Sequence, residues 1–297
     1  MNTENLLFEL RRKNIIDKIN GEYIINPSID LSTMDISLGF DNVAIQQGRS
    51  RCDSRLDANI ESEVIRGIKR PIPLIASNMS TVVDSFFCTR LYNLGALGVM
   101  HRALPEEELL SEIKSISEQC DIVCASVGSG NDQVDLAKKI IQAGANVIFI
   151  DIAHGYSQSV IDTAKAIKKY SSSIKVVVGN TTNINMLIEC QDVADGCKVG
   201  LSQGFSCKTK DMAACAEQQF SAVYKFKYLA KKYGIPIISD GGVRKPADFV
   251  KSTAAGANSV MAGKIFAACP ESGGRQRRCS IPTRARSRRS TLRRTLW

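Results

Sequence analysis

From Pro71 onward the chain alternates short apolar runs, rich in β-branched residues, with longer segments of helical periodicity. The apolar runs fall at 72–77, 96–101, 121–128, 147–153, 175–180, 196–201, 236–241 and 259–264. Near-continuous apolar runs of this length predict strands buried on both faces, as in parallel sheets. Helical patterns lie between them, among others at 105–118, 132–143 and 158–170. The first opens on Pro105 and three glutamates, which suit a helix N-terminus. Gly144, Gly234 and Gly256 each follow a helical pattern and precede a strand, where a left-handed cap is needed. Eight strands with helical crossovers predict an α/β fold, a closed (β/α)8 TIM barrel over residues 71–273, with an open doubly wound sheet as the alternative. Residues 1–70 read as a helix with irregular or hairpin segments that would pack against the barrel floor.

The periodicity stops at Gly274. Residues 274–297 hold nine arginines, no lysine and no acidic residue, and show no core-forming pattern. Taking those nine from the 39 basic residues leaves 30 against 30 acidic ones, so the net charge of +9 belongs to this tail. Such a run suits a nucleic-acid arm. It equally suits an out-of-register or truncated end, which is the favoured reading because the last crossover helix should follow the eighth strand here. The barrel is then expected to lack its last helix and to expose an apolar strand face.

At 297 residues, 44% of them hydrophobic, the chain can bury a full-sized core. Ten cysteines raise the question of a disulfide framework. There is no secretory signal pattern, no apolar run long enough to span a membrane and no CxxC pair. The thiols fall singly in strand-like runs (Cys124, Cys197) or helical stretches (Cys88, Cys190, Cys215), where they act as small hydrophobes. A cytoplasmic, reduced protein is expected, with no membrane partner and no nucleic-acid partner.

In such a barrel the active site lies at the C-terminal ends of the strands. Those ends carry Ser77–Asn78–Met79, His101–Arg102, Gly128–Gly130, Asp151 through Gly155, Gly179–Asn180, Gly200 through Thr209, Asp240–Gly241–Gly242 and Gly263–Lys264. Polar and glycine residues recur at each end while the strand interiors stay apolar, as expected of a ligand-binding rim. In the loop after strand six, Cys207 is flanked by Lys208 and Lys210, whose charges lower a thiol's pKa and favour the nucleophilic thiolate. Taken alone, one loop thiol of ten is more often structural. Asp84, Asp132 and Asp135 read as helix-start residues, and the glutamates after Pro105 as a solvated face. His101 and His154 fit structural hydrogen bonding as well as catalysis.

Several motifs in order, across roughly residues 35–274, resemble the IMP dehydrogenase/GMP reductase family. They are Phe40-Asp-Asn-Val43, Ile75-Ala-Ser-Asn-Met-Ser-Thr-Val82, Gly98-Val-Met-His-Arg102 and Asp151-Ile-Ala-His-Gly-Tyr-Ser157. Val178-Gly-Asn180, Lys198-Val-Gly through Cys207-Lys-Thr209, Ile238-Ser-Asp-Gly-Gly-Val-Arg244 and Ala254-Ala-Gly-Ala through Phe266 continue the series. The resemblance implies that Cys207 attacks C2 of a purine nucleoside monophosphate, that a nicotinamide stacked on the ring exchanges hydride there, and that Thr209 assists proton transfer. It places Asp240 on the ribose hydroxyls, Gly241, Gly242, Gly263 and Lys264 at the phosphate, Ser77 and Asn78 at the substrate, and Asp151, Asn180 and Gly200 on the cofactor side. It also implies a candidate potassium site at Gly204 and Cys207, and a homotetramer.

Within the family, Asn78, Met100-His-Arg102, Asp151-Ile-Ala-His-Gly155, the Cys-x-Thr-Lys run at 207–210 and Pro270-Glu-Ser-Gly-Gly274 resemble GMP reductases. The short connection between strands two and three leaves no room for a CBS pair. NADPH-dependent deamination of GMP to IMP is the expected activity. The alternatives are NAD-dependent oxidation of IMP to XMP and an inactive family member. The loop departs from the family pattern at Ser202, Gln203 and Phe205, and Phe205 cannot donate the hydrogen bond of the phosphate-contacting serine it replaces. The family's flap should follow residue 274 and has no counterpart there.

Overall fold

The structure, a computed structural model, describes residues 16–19, 22–25, 37–49, 53–54, 57–201 and 216–273. Eight parallel strands close into a barrel: β5 (Leu74–Ala76), β6 (Leu97–Met100), β7 (Cys124–Val127), β8 (Val147–Asp151), β9 (Lys175–Thr181), β10 (Gly196–Val199), β11 (Ile237–Asp240) and β12 (Ser259–Ala262). Each pairs with its sequence neighbours, and β12 returns to β5 through Val260↔Leu74 and Ala262↔Ala76. All eight coincide with the apolar runs, and closure decides for the barrel over the open sheet.

Each strand is followed by a helix: α1 (Ser85–Asn93), α2 (Glu106–Ser117), α3 (Asn131–Gln142), α4 (Gln158–Tyr170), α5 (Asn185–Glu189), α6 (Gln219–Tyr233), α7 (Pro246–Ala255) and α8 (Lys264–Ala267). Asp84 caps α1 by accepting from Phe87 N at 2.8 Å, which satisfies one of the helix's free donors. Gly144, Gly234 and Gly256 follow α3, α6 and α7 with positive φ, as their positions predict. The glutamate after Pro105 that opens α2, Glu106, pairs across the surface with Lys139 of α3.

Alternation along the strands divides the core in two. Outward residues such as Ile148, Ile150, Val176, Val178 and Ile237 pack under the helices against Phe226, Leu109 and Ile140. Inward residues Ile75, Leu97, Val99, Cys124, Val147, Phe149, Val177, Ile238 and Met261 fill the barrel. Val64 and Ile65 join this inner cluster from an antiparallel hairpin, β3 (Ser62–Ile65) and β4 (Ile68–Arg70), which therefore plugs the floor. Arg66 N donates to Asp195 O at 2.7 Å and ties the plug to the base of β10. Asp195 itself is buried, ion-paired to Lys168 at 2.6 Å and accepting from Val176 N. A further hairpin pairs β1 (Ile16–Ile19) with β2 (Glu22–Ile25).

The expected exposed strand face is not found: every residue of β12 is buried. Its outward Val260 packs with Phe40 and Val243, and Phe266 of the single-turn α8 meets Phe87 of α1 edge to face, centroids 5.9 Å apart. Phe40 reaches the barrel from a 3-10 turn (Phe40–Asn42) held to α6 and α7. Leu38 N donates to Ser221 Oγ at 2.7 Å, and Lys251 Nζ to Phe40 O at 2.7 Å. Exposed apolar side chains fall instead on helices, as with Phe86, Val250 and Ile265, and in loops, as with Ile45, Ile60 and Met79. The basic tail and the flap position lie outside the described residues.

Candidate active site

At the C-terminal rim of the barrel, a cavity of about 340 Å³ is lined by Ser77, Asn78, Asp151, Asn180, Gly200 and Asp240, among others. Six residues expected at the site are thus brought together from five strand ends. The reason is register: Asp151, Lys198 and Asp240 take the inward parity of their strands, at the last turn of the pleat before each loop.

Lys198 is 1% exposed, with its ammonium ion-paired to Asp151 Oδ1 and 3.4 Å from Asp240 Oδ2. Asn78 Nδ2 donates to Asp151 Oδ2 at 2.7 Å, and Asn180 Nδ2 donates to Asp240 Oδ2 at 2.8 Å. Burial raises the Asp151 carboxyl, but the adjacent Lys198 charge, the two hydrogen bonds and Arg102 outweigh it and hold its pKa below the ordinary value. Burial likewise lowers Lys198, and the two carboxylates overcome that and raise it. Both groups therefore stay charged at neutral pH, in a pocket whose walls are partly apolar.

Gly200 closes the rim between β10 and β11 with φ +145°, and a Cβ there would lie 2.1 Å from Asp240 O. Only glycine lets the chain pass this close to the carboxylate strand. Gly241 and Gly242 follow Asp240 with φ +97° and +75°. Gly263 approaches β5, where an added Cβ would lie 3.6 Å from Ser77 Oγ, and Ser77 N donates to Ala262 O. Gly241, Gly242, Gly263 and Lys264 follow the ends of β11 and β12 but do not line the carboxylate cavity.

A second cavity of about 500 Å³ adjoins the first, sharing Ala153, Asn180 and Leu201 with it and adding His154, Tyr156, Thr181, Asn183 and Glu217. Leu201 pairs with Glu217 as an antiparallel bridge at this edge. The two histidines separate here. His154 lines the second cavity, whereas His101 is buried, accepts from Ala103 N through Nδ1 at 3.1 Å, and has its pKa lowered by burial. His101 is thus a neutral structural group.

Cys207, Thr209 and Gly204 lie outside the described residues, and with them the potassium site. The thiols among the described residues can be judged. Cys88, Cys120, Cys124, Cys190 and Cys197 are buried and unbridged. Burial pushes Cys124 up to about 12 and Cys190 to about 11, so neither offers a thiolate at neutral pH. Among the described residues no cluster of three His, Cys, Asp or Glu could hold a metal ion, and no helix is long and apolar enough to cross a membrane.

The sequence reading missed Lys198 as a site residue. It stands in a quoted motif, yet a single lysine in an apolar strand reads as a strand-end exception. Its signal was parity: it shares the inward face with Gly196, two residues before the loop of Cys207.

A family model for the IMP dehydrogenase / GMP reductase domain matches residues 37–285. The inosine-5'-monophosphate dehydrogenase of Cryptosporidium parvum is 30% identical over 260 residues, covering 73% of this chain and 65% of that protein. The GMP reductase of Clostridium acetobutylicum is 34% identical over 239 residues, 79% of this chain and 72% of that protein. The inosine-5'-monophosphate dehydrogenase of Aquifex aeolicus is 38% identical over 155 residues, 51% of this chain and 31% of that protein. The chain thus spans just under two thirds of the Cryptosporidium protein and about a third of the Aquifex one.

Proposed function

The chain belongs to the IMP dehydrogenase/GMP reductase family, a family of oxidoreductases, and within it we propose that this protein deaminates GMP reductively to IMP, with NADPH as hydride donor. The observation that carries the proposal is the pair of carboxyl groups, Asp151 and Asp240, fixed by Lys198 in one rim cavity that opens into a second. A carboxylate accepts two hydrogen bonds from a cis-diol, so each suits one ribose. Asp240 takes the ribose of the purine nucleotide. Asp151 and Asn180 face the nicotinamide side, and the adjoining cavity with His154 and Tyr156 has room for more of a dinucleotide. The residues present therefore fit both ligands. Bound NADPH supplies the hydride.

Cys207 adds as thiolate to C2 of the GMP base, and Thr209 assists proton transfer there. The C2 amine leaves as ammonia, hydride arrives at C2, and the C–S bond breaks to return the thiolate and release IMP. Gly241, Gly242, Gly263 and Lys264 are the groups proposed for the 5'-phosphate, where backbone N–H groups and a cation suit a dianion. Potassium beside Gly204 and Cys207 and a homotetrameric assembly are further parts of the proposal, testable by cation replacement and by light scattering.

NAD-dependent oxidation of IMP to XMP is the second reading, favoured by the identity to the two dehydrogenases. Incubation with GMP plus NADPH, and separately with IMP plus NAD, decides between them. Cofactor oxidation with release of ammonia supports the reductase, and turnover only of IMP overturns it. Cys207→Ala should abolish either turnover while GMP still binds. Purine binding without any turnover in the unmodified chain would assign an inactive family member.

A further inference from the structure

Lys198 sits on the inward face of β10, above an apolar barrel interior formed by Phe149, Val177, Ile238 and Met261. A lone ammonium so deeply buried would lose its proton; this one keeps it because carboxylates meet it from two sides. Among the described residues, the charged groups facing it are Asp151 from the end of β8 and Asp240 from the end of β11, with the charge of Arg102 also acting on Asp151.

Reach toward Asp151 depends on Gly179. This residue pairs with Asp151 in one ladder and with Lys198 in the next, so it stands directly between them. Its φ is +149°, and an added Cβ would lie 2.6 Å from Lys198 Cβ and 2.7 Å from Lys198 O. With no side chain there, the lysine crosses the empty position and reaches a carboxylate two strands away.

We infer that Lys198 is a positioning residue that couples the two ligand-binding halves of the site, one ammonium fixing both Asp240 on the nucleotide side and Asp151 on the cofactor side. The ligand names rest on the proposed function; the charge coupling does not. Without the ammonium, two carboxylates would share a half-buried cavity. Each would disfavour the other's charge, with Asn78, Asn180 and the charge of Arg102 left among the described residues to hold them.

The test uses the full chain with aspartate carboxyls carbon-13 labelled at Cγ, Asp151 being assigned from the signal lost in Asp151→Asn. In the unmodified protein Asp151 should titrate below ordinary aspartates, and in Lys198→Met its midpoint should rise by about one unit or more. Lys198→Arg, which keeps the charge, should leave it low. GMP binding, followed by calorimetry at pH 7, should weaken roughly tenfold or more in Lys198→Met. Lys198→Met/Asp151→Asn should regain most of that affinity and melt higher than Lys198→Met, because the carboxylate repulsion is gone. A merely structural lysine gives neither the titration shift nor the rescue.

Coupling is overturned if Asp151 titrates at or above the ordinary value in the unmodified protein. It is equally overturned if its midpoint is unmoved in folded Lys198→Met, or if the double variant binds GMP no better than the single one. Should the unmodified chain bind neither GMP nor IMP, the proposed function falls while the titration still decides the coupling. Should Lys198→Met not fold, a folded double variant supports the coupling, and the unmodified titration remains able to refute it.

Discussion

Gly200→Ala is the sharpest test of how the rim is built. The methyl group would sit 2.1 Å from Asp240 O and 2.7 Å from Gln219 Oε1. Carbon approaches a carbonyl oxygen to roughly 3.3–3.6 Å, so the contact must open by about an ångström. Gln219 cannot give way freely, because its Nε2 donates to Val199 O at 2.7 Å and to Ser239 Oγ at 3.0 Å. Holding alanine at this φ costs about 1–3 kcal/mol, and the overlap adds a comparable amount, for roughly 2–6 kcal/mol together. For a barrel of this size that lowers the melting temperature by about 5–15 °C. Relief must move the backbone of Asp240, so GMP affinity should fall by roughly tenfold in the protein that remains folded. Gly48→Ala is the control, since a Cβ there meets nothing within 4 Å. Thermal melting and calorimetric titration with GMP measure both effects. Melting within about 2 °C of the unmodified protein together with unchanged GMP affinity would refute the reasoning, the expected melting shift being larger.

Phe226→Ala empties a fully buried position between α6 and the barrel, and should cost about 3–5 kcal/mol in urea denaturation. Asp195→Asn removes the carboxylate that pairs with Lys168 and Lys175; with Lys168 18% exposed, the loss should be about 1–3 kcal/mol, reduced in Asp195→Asn/Lys168→Met. For Asp151 the folded pKa lies below the unfolded one, so its contribution is present above about pH 3.9 and is lost as pH falls through the depressed folded value. Melting temperatures taken between pH 2 and 6 should therefore fall less steeply in Asp151→Asn than in the unmodified protein, and equal slopes would contradict this.

The barrel was readable because its strands are buried on both faces, so each appears as an unbroken apolar run such as Val147–Ile150. A hairpin on the barrel floor was expected within residues 1–70, but its strands could not be placed, for the opposite reason. Glu63, Lys69 and Arg70 interrupt it, and only Val64 and Ile65 turn inward, too few for a periodic signal. The covered face of β12 was also illegible. One of the side chains that pack on Val260 is Phe40, 220 positions earlier, and no local pattern joins two residues so far apart. The rim carboxylates and asparagines could be named one by one from the strand ends. Their mutual contacts could not, since Asn78 and Asp151 meet only because β5 and β8 face each other across a closed barrel.

Closure also explains why a lysine could be buried at the heart of this site. In an open sheet, residues two strands apart diverge with the twist, and a lysine would draw a counter-charge only from the strands directly beside it. In the closed barrel the inward positions of one layer converge, so β8 and β11, which are not neighbours, both present a carboxylate to β10. Asp240 comes from the adjacent strand, and Asp151 comes across Gly179, whose missing side chain makes the second contact possible. The glycine, the lysine and the two aspartates are therefore one arrangement. Replacing Gly179 by alanine should raise the Asp151 midpoint in the same direction as removing the lysine, although no charge has changed. An unmoved midpoint in a folded Gly179→Ala protein would mean that the ammonium reaches Asp151 by a path that does not need the gap.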